Sequence, residues 1–252
     1  MLNHPTLDKL RTMKLDGMAQ ALTEQLASNT AAELGFEERL GLLIDMEMTH
    51  RDDKRYKRRL RNAKLRQQAC LEDIDYQPSR GLDRSLLQSL ATCNWVIEHH
   101  NLIITGPTGV GKTYLACALA HQACRKTFTA YYAQTSRLLQ ELLITKGDGR
   151  YLKTLARLAK IDLLILDDWG LDTPPAEQRR ILLELLDDRY ERGSTLIASQ
   201  FPTNLWYDNL GDPTLADAIL DRVVHNAYRL ELKGESLRKS KNGLTQPQTQ
   251  EA

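Results

Sequence analysis

The stretch Gly106-Pro107-Thr108-Gly109-Val110-Gly111-Lys112-Thr113 has the residue types and spacing needed to hold a triphosphate. It fits G-x-x-x-x-G-K-[ST], in which glycines let successive backbone N–H groups point into one concave nest of phosphate contacts. Lys112 would bring a point charge to the β- and γ-phosphates, and the Thr113 hydroxyl would take one coordination position of a Mg²⁺ ion. An apolar run, Leu102-Ile103-Ile104-Thr105, precedes the loop, and an apolar helical pattern, Tyr114 to Ala120, follows it. That strand-to-helix context is what the loop requires.

A second set of oxygen ligands closes the run Ile161-Asp162-Leu163-Leu164-Ile165-Leu166-Asp167-Asp168. A continuous apolar segment ending in two acids reads as a buried parallel strand that delivers carboxylates at its C-terminal edge, where ligands sit in open α/β sheets. Asp167 would hold the Mg²⁺, directly or through water, and Asp168 would polarise an attacking water. A third apolar run, Ser194 to Ser199, ends at Gln200, whose side chain could feel the γ-phosphate or simply bond to backbone.

The elements that must carry these residues are a series of strands and helices in alternation. Strands are expected at 102–105, 128–133, 161–168, 194–199 and 228–232, with helices after the loop, after Gln134, over 176–192 and over 215–226. The polar interval 146–150 reads as an exposed loop. Residues 70–100 form a connector with a turn-rich break at 75–81 and a helix near 84–91, and Ile74 and Tyr76 are candidates to pack on a base.

Composition narrows the class. A chain of 252 residues suits one full α/β domain plus a smaller appendage. Four cysteines without C-x-x-C spacing argue against a disulfide framework and a zinc site, and Cys117 and Cys124 read as core residues. No apolar run approaches the ~18 residues of a membrane span, so a cytoplasmic protein is expected.

Ahead of the connector, residues 5–49 read as helices. Leu7, Leu10, Leu15, Met18, Leu22 and Leu26 recur at helical spacing, and Thr30-x-x-Glu33 is a capping box before Phe36, Leu40, Leu43, Ile44 and Met46. The whole chain is nearly neutral, with 34 basic and 33 acidic residues. Residues 51–66 nevertheless hold nine Lys or Arg against two Asp: Arg51, Lys54, Arg55, Lys57, Arg58, Arg59, Arg61, Lys64 and Arg66. Such clustering is the footprint of phosphate-backbone binding, and equally what a solvated helix face carries.

The segments GPTGVGKT, LLILDD, LIASQF, LDRVVHNAYRLEL and GESLRK, in that order, resemble the IstB/DnaC branch of the AAA+ ATPases, and most closely the IstB-like helper ATPases of insertion-sequence transposition. The resemblance covers nearly the entire chain. It implies an α/β AAA+ P-loop core with a five-stranded parallel sheet over 70–239, a small N-terminal helical module over 1–69 that binds DNA and oligomerises, and a tail over 240–252. It further implies ATP and Mg²⁺ as cofactors, with duplex DNA, a partner transposase and further copies of the chain as partners at the bacterial nucleoid.

By motif, Gly106 to Thr113 match Walker A, Asp167 and Asp168 match Walker B, and Gln200 falls at sensor 1. Arg222 matches the arginine finger that reaches a neighbour's γ-phosphate, and Arg238 the sensor 2 arginine acting in cis. Either arginine could instead make a surface ion pair. Asp-Asp in place of the commoner Asp-Glu shortens the second acid by a methylene, which implies slow hydrolysis. A replicative-helicase loader of the DnaC type and a metabolic P-loop kinase are the rival readings.

Overall fold

A computed structural model describes residues 5–28, 33–74, 76 and 81–237. Arg238, the Thr30 end of the capping box, most of the break at 75–80 and the tail from 240 lie outside these residues. The chain divides into two compact units, Met1–Arg58 and Arg59–Ala252, so the division falls before the expected boundary at 69/70. The residues that follow Arg58 explain the position. Ala63 and Ala69 are buried, and Arg59 Nε donates to the Cys124 carbonyl at 3.0 Å, so this stretch is part of the larger unit.

In the smaller unit the first apolar series makes two helices, α1 (Pro5–Thr12) and α2 (Asp16–Ala27), because Lys14 takes a left-handed φ of 59° and breaks the run. The long helix α3 (Phe36–Ala63) then carries most of the basic residues. Helix α2 lies against it at Gly17, where a Cβ would come within 2.7 Å of the Glu47 Cα. The buried Glu47 carboxylate accepts from the Gly17 and Met18 amides at 2.8 and 3.2 Å, so two otherwise unpaired donors at the start of α2 are satisfied by a charge of the favourable sign. Phe36, Leu40, Ile44 and Met48 remain exposed along α3.

Past the end of α3, the larger unit continues with α4 (Arg84–Ala91), capped by the Asp83 carboxylate, and the short α5 (Asn94–Ile97). It then alternates: β1 (Asn101–Thr105), α6 (Lys112–Arg125), β2 (Ala130–Gln134), α7 (Thr135–Gly147), α8 (Tyr151–Ala159), β3 (Leu163–Trp169), α9 (Ala176–Arg189), β4 (Ser194–Ser199), α10 (Trp206–Leu210), α11 (Pro213–Val224) and β5 (Ala227–Glu231). Helices α8 and α10 were not expected from the sequence pattern. All strand pairs are parallel, in the order β2-β3-β4-β1-β5. Helices on both faces explain why β3 and β4 are almost wholly buried and read as unbroken apolar runs.

The order places a switch point between β1 and β4. From β1 the chain crosses toward β2, and from β4 it crosses the other way to β5, which leaves a crevice at their carboxyl ends. One buried charge braces the far end of this frame. Arg189, 1% exposed, donates to the carbonyls of Leu158, Ile161 and Ser194 and to the Thr195 hydroxyl. Burial pushes its guanidinium down to about 10, yet loss of the side chain would strand these acceptors at about 1–3 kcal/mol each.

Candidate nucleotide site

The loop from Gly106 to Thr113 joins β1 to α6 at that crevice. Gly106, Gly109 and Gly111 have φ values of 146°, 86° and 100°, a region closed to most side chains. Gly106 has a second constraint, since a Cβ there would stand 2.3 Å from the Leu232 carbonyl oxygen of the chain leaving β5. Lys112 is buried, and its Nζ donates to the loop's own Gly106 and Pro107 carbonyls at 2.7 and 2.8 Å. The ammonium is therefore held inside the curve of the loop.

Helix α6 begins at Lys112 and turns Thr113 toward the end of β3, where its Oγ1 donates to Asp167 Oδ2 at 2.8 Å. The same oxygen accepts from the Tyr132 hydroxyl at 2.7 Å. Burial, reinforced by the hydrogen bond to Asp167, pushes the Tyr132 phenol up, so it remains a donor at neutral pH. Asp167 itself is 1% exposed. A hydroxyl and a carboxylate converging beside an anion nest form an all-oxygen donor set, which fits a Mg²⁺ ion completed by phosphate oxygens and water.

Asp168 follows a different backbone path. The register of β3 against β4 shifts between Leu166 and Trp169, and Asp168 takes a left-handed φ of 58°. A bulge of this kind re-aims a side chain at the end of a strand, and it turns two consecutive acids toward one crevice. The Asp168 carboxylate accepts from Gln134 Nε2 at 2.8 Å and lies 3.5 Å from Arg66 Nη1, which is also 3.8 Å from Asp167. Gln200, just past β4, accepts from the Thr108 hydroxyl at 2.6 Å, so the phosphate loop and the third strand end meet across the switch point.

The remaining expected residues are more scattered. Arg222, on α11, pairs within its own chain with Asp187 at 2.7 Å and donates to the Ala218 carbonyl. Asn101 fixes that end of the helix by donating to the Arg222 carbonyl at 3.0 Å while its Oδ1 accepts from the Thr195 amide. Ile74 is buried, and Tyr76 lies under the Arg84 guanidinium. Among the basic run, Lys54, Arg55, Lys57, Arg58, Arg61 and Lys64 are exposed. Arg51 pairs with Glu47, Arg59 is bound to the Cys124 carbonyl, and Arg66 is directed at the acid pair. The buried thiols of Cys93 and Cys124 are pushed up to about 11 by burial and are poor nucleophiles.

Tyr132, Gln134 and Arg66 were not expected at this site. The parallel register that sets Gln134 beside Asp167 brings the end of β2 to the acids. A polar residue ending the strand next to an acidic strand was the available signal for Gln134. Nothing local marks Arg66.

The sequence model of the IstB-like ATP binding protein family matches residues 8–245. The chain belongs to that family. A protein of Sinorhizobium fredii described as an insertion-sequence ATP-binding protein is 51% identical over 240 residues, 95% of this chain and 98% of its own length. The ATP-binding protein of insertion sequence IS1162 from Pseudomonas fluorescens is 50% identical over 205 residues, covering 81% and 89% of the two chains. In three dimensions the crystal structure of DnaI superposes with a TM-score of 0.56 at 23% identity, over 70% of this chain and 94% of that one. This last likeness concerns the fold alone, a five-stranded parallel sheet flanked by helices. No helix among the described residues is long and apolar enough to cross a membrane.

Proposed function

We propose that the chain is a Mg²⁺-dependent ATPase that assembles on duplex DNA through ATP-bridged contacts between copies, remodels the duplex and stimulates the transposase of its insertion sequence at the bacterial nucleoid. The observation that carries the reading is the Thr113–Asp167 contact, which joins the phosphate loop to the acidic strand end at 2.8 Å. Family membership supports ATP as the nucleotide.

The loop amides and Lys112 bind and orient the phosphates, and Thr113 with Asp167 would hold the metal. When bound there, Mg²⁺ would supply positive charge against the charge that builds during phosphoryl transfer. Asp168 accepts a hydrogen bond from the attacking water, and Gln200 orients that water or the γ-phosphate. Arg222 acts on the nucleotide of a neighbouring copy, and Arg238 on its own. The smaller unit and the basic run that continues past it to residue 66 supply the DNA-binding and oligomerising module, and 70–239 the ATPase.

The test is ATP turnover with and without duplex DNA, together with particle size in ATP and in ADP. Growth of the particle only with Mg-ATP and duplex, with turnover stimulated by duplex, is the expected result. A particle that stays monomeric under those conditions overturns the assembly. Capture of a replicative helicase in place of a transposase would convert the reading to helicase loading, and a phosphorylated small molecule would convert it to a kinase.

A further inference from the structure

We propose that Arg66 is a positioning residue that restrains Asp168 and screens the Asp167–Asp168 pair, and that nucleic-acid phosphates release it by competing for its guanidinium. The inference rests on the ATPase reading above. Arg66 ends the basic run but is turned inward, with Nη1 3.5 Å from Asp168 Oδ2 and 3.8 Å from Asp167 Oδ2. It reaches the two acids that the reading assigns to water and metal.

Three features make the contact a coupling element and not merely an ion pair. The Asp168 oxygen that Arg66 approaches also accepts from Gln134, so two donors converge on one oxygen of the carboxylate and fix its orientation. Arg66 faces more than one partner, because it lies near both carboxylates, and the Tyr132 hydroxyl together with those acids favours its charged form. The side chain is 46% exposed, which leaves part of the fork open to an incoming phosphate. A guanidinium matches phosphate as well as carboxylate geometry, so one side chain can exchange between the two.

The backbone around Arg66 suits such an exchange. Helix α3 ends at Ala63, Lys64 takes a left-handed φ of 51°, and Ala63 and Ala69 are buried on either side. The arginine therefore sits in a short span between two anchors, next to Arg61 and Lys64, which are exposed. Phosphates drawn to those charges arrive beside Arg66. Its departure lifts one of the two restraints on the Asp168 carboxylate and removes a competing cation from Asp167, so binding of nucleic acid favours metal at the site.

The experiment measures the Mg²⁺ concentration at half-maximal binding of a fluorescent, non-hydrolysable ATP analogue, with and without duplex DNA. In the unaltered chain, duplex is expected to lower this midpoint by about 5-fold or more, the lower end of typical coupling between sites. Arg66→Gln is expected to have the lowered midpoint without DNA and to gain nothing further from it. Arg66→Lys, which keeps the charge, is expected to restore part of the DNA-dependent shift. Identical midpoints for the unaltered chain and Arg66→Gln, or equal shifts by duplex in both, overturn the role of Arg66 while leaving the nucleotide site intact. A chain that binds no analogue at any Mg²⁺ concentration overturns the nucleotide reading itself, and this inference with it.

Discussion

The Thr113 hydroxyl and the Asp167 carboxylate, 54 positions apart in the chain, stand 2.8 Å from each other across the carboxyl end of the sheet. Both groups are fixed from behind, Thr113 by the first turn of α6 and Asp167 by the buried strand β3 and the Tyr132 hydroxyl. Thr113→Ala should therefore weaken nucleotide binding in Mg²⁺ by about 10- to 100-fold, the range set by one bond to a charged group. The same variant should bind nucleotide like the parent when EDTA removes the metal. Fluorescence titration in both buffers checks this, and an equal loss in both would assign Thr113 to loop folding.

Arg222 is paired with Asp187 in its own chain, so it must change partners if it acts on a neighbour's nucleotide. Arg222→Ala should leave ATP binding nearly intact while lowering turnover at least tenfold, since arginine fingers contribute about 10³ to 10⁵ in rate. Asp187→Ala should not lower turnover. Steady-state kinetics on the two variants separates the finger from a structural ion pair, for which both changes would act alike.

Lys57, Arg58 and Arg61 are exposed, whereas Arg59 and Arg66 are committed to contacts within the larger unit. Neutralising the first three should weaken duplex binding similarly for all sequences and reduce the slope of log affinity against log salt by about 0.9 for each phosphate no longer neutralised. Filter binding across salt concentrations provides the measurement. An unchanged slope would make this run a solvated helix face.

The smaller unit should be acid-sensitive through Glu47. Burial works against its ionised form, but the hydrogen bonds from Arg51, Met18 and Gly17 outweigh it and hold the carboxyl below the usual glutamate range. A depressed value in the folded chain stabilises fully above the unfolded value of about 4.3 and is lost as pH falls through the folded one. Amide exchange at Gly17 and Met18 should accelerate relative to its intrinsic rate below about pH 4.3. Glu47→Gln should show faster exchange at neutral pH and lack that acid-dependent step.

Much of the site is legible in the amino-acid sequence. The phosphate loop, the acid pair and the strand-ending Gln200 are local patterns, because a nest of amides or a carboxylate at a strand end is built from contiguous residues whose backbone preferences are written in glycine placement and apolar runs. The strands β1, β3 and β4 are likewise visible, since burial on both faces demands unbroken apolar segments, whereas the edge strand β5, mostly exposed, shows only as the alternation of Tyr228, Leu230 and Leu232 with polar residues. The break at Lys14 is less legible, because the leucine spacing continues through a residue that leaves the helical region.

The order of the strands, the bulge that turns Asp168 toward the crevice, and the arrival of Tyr132, Gln134 and Arg66 at the acids were decided only by the tertiary structure. These are distances between segments far apart in the chain, set by which strand pairs with which and in what register. Sequence determined that this chain carries a glycine-rich strand-to-helix loop of the phosphate-binding pattern and two acids to meet it. Packing decided that a basic-run arginine stands over those acids, because a side chain's partner depends on where the fold brings its backbone and not on the residues beside it.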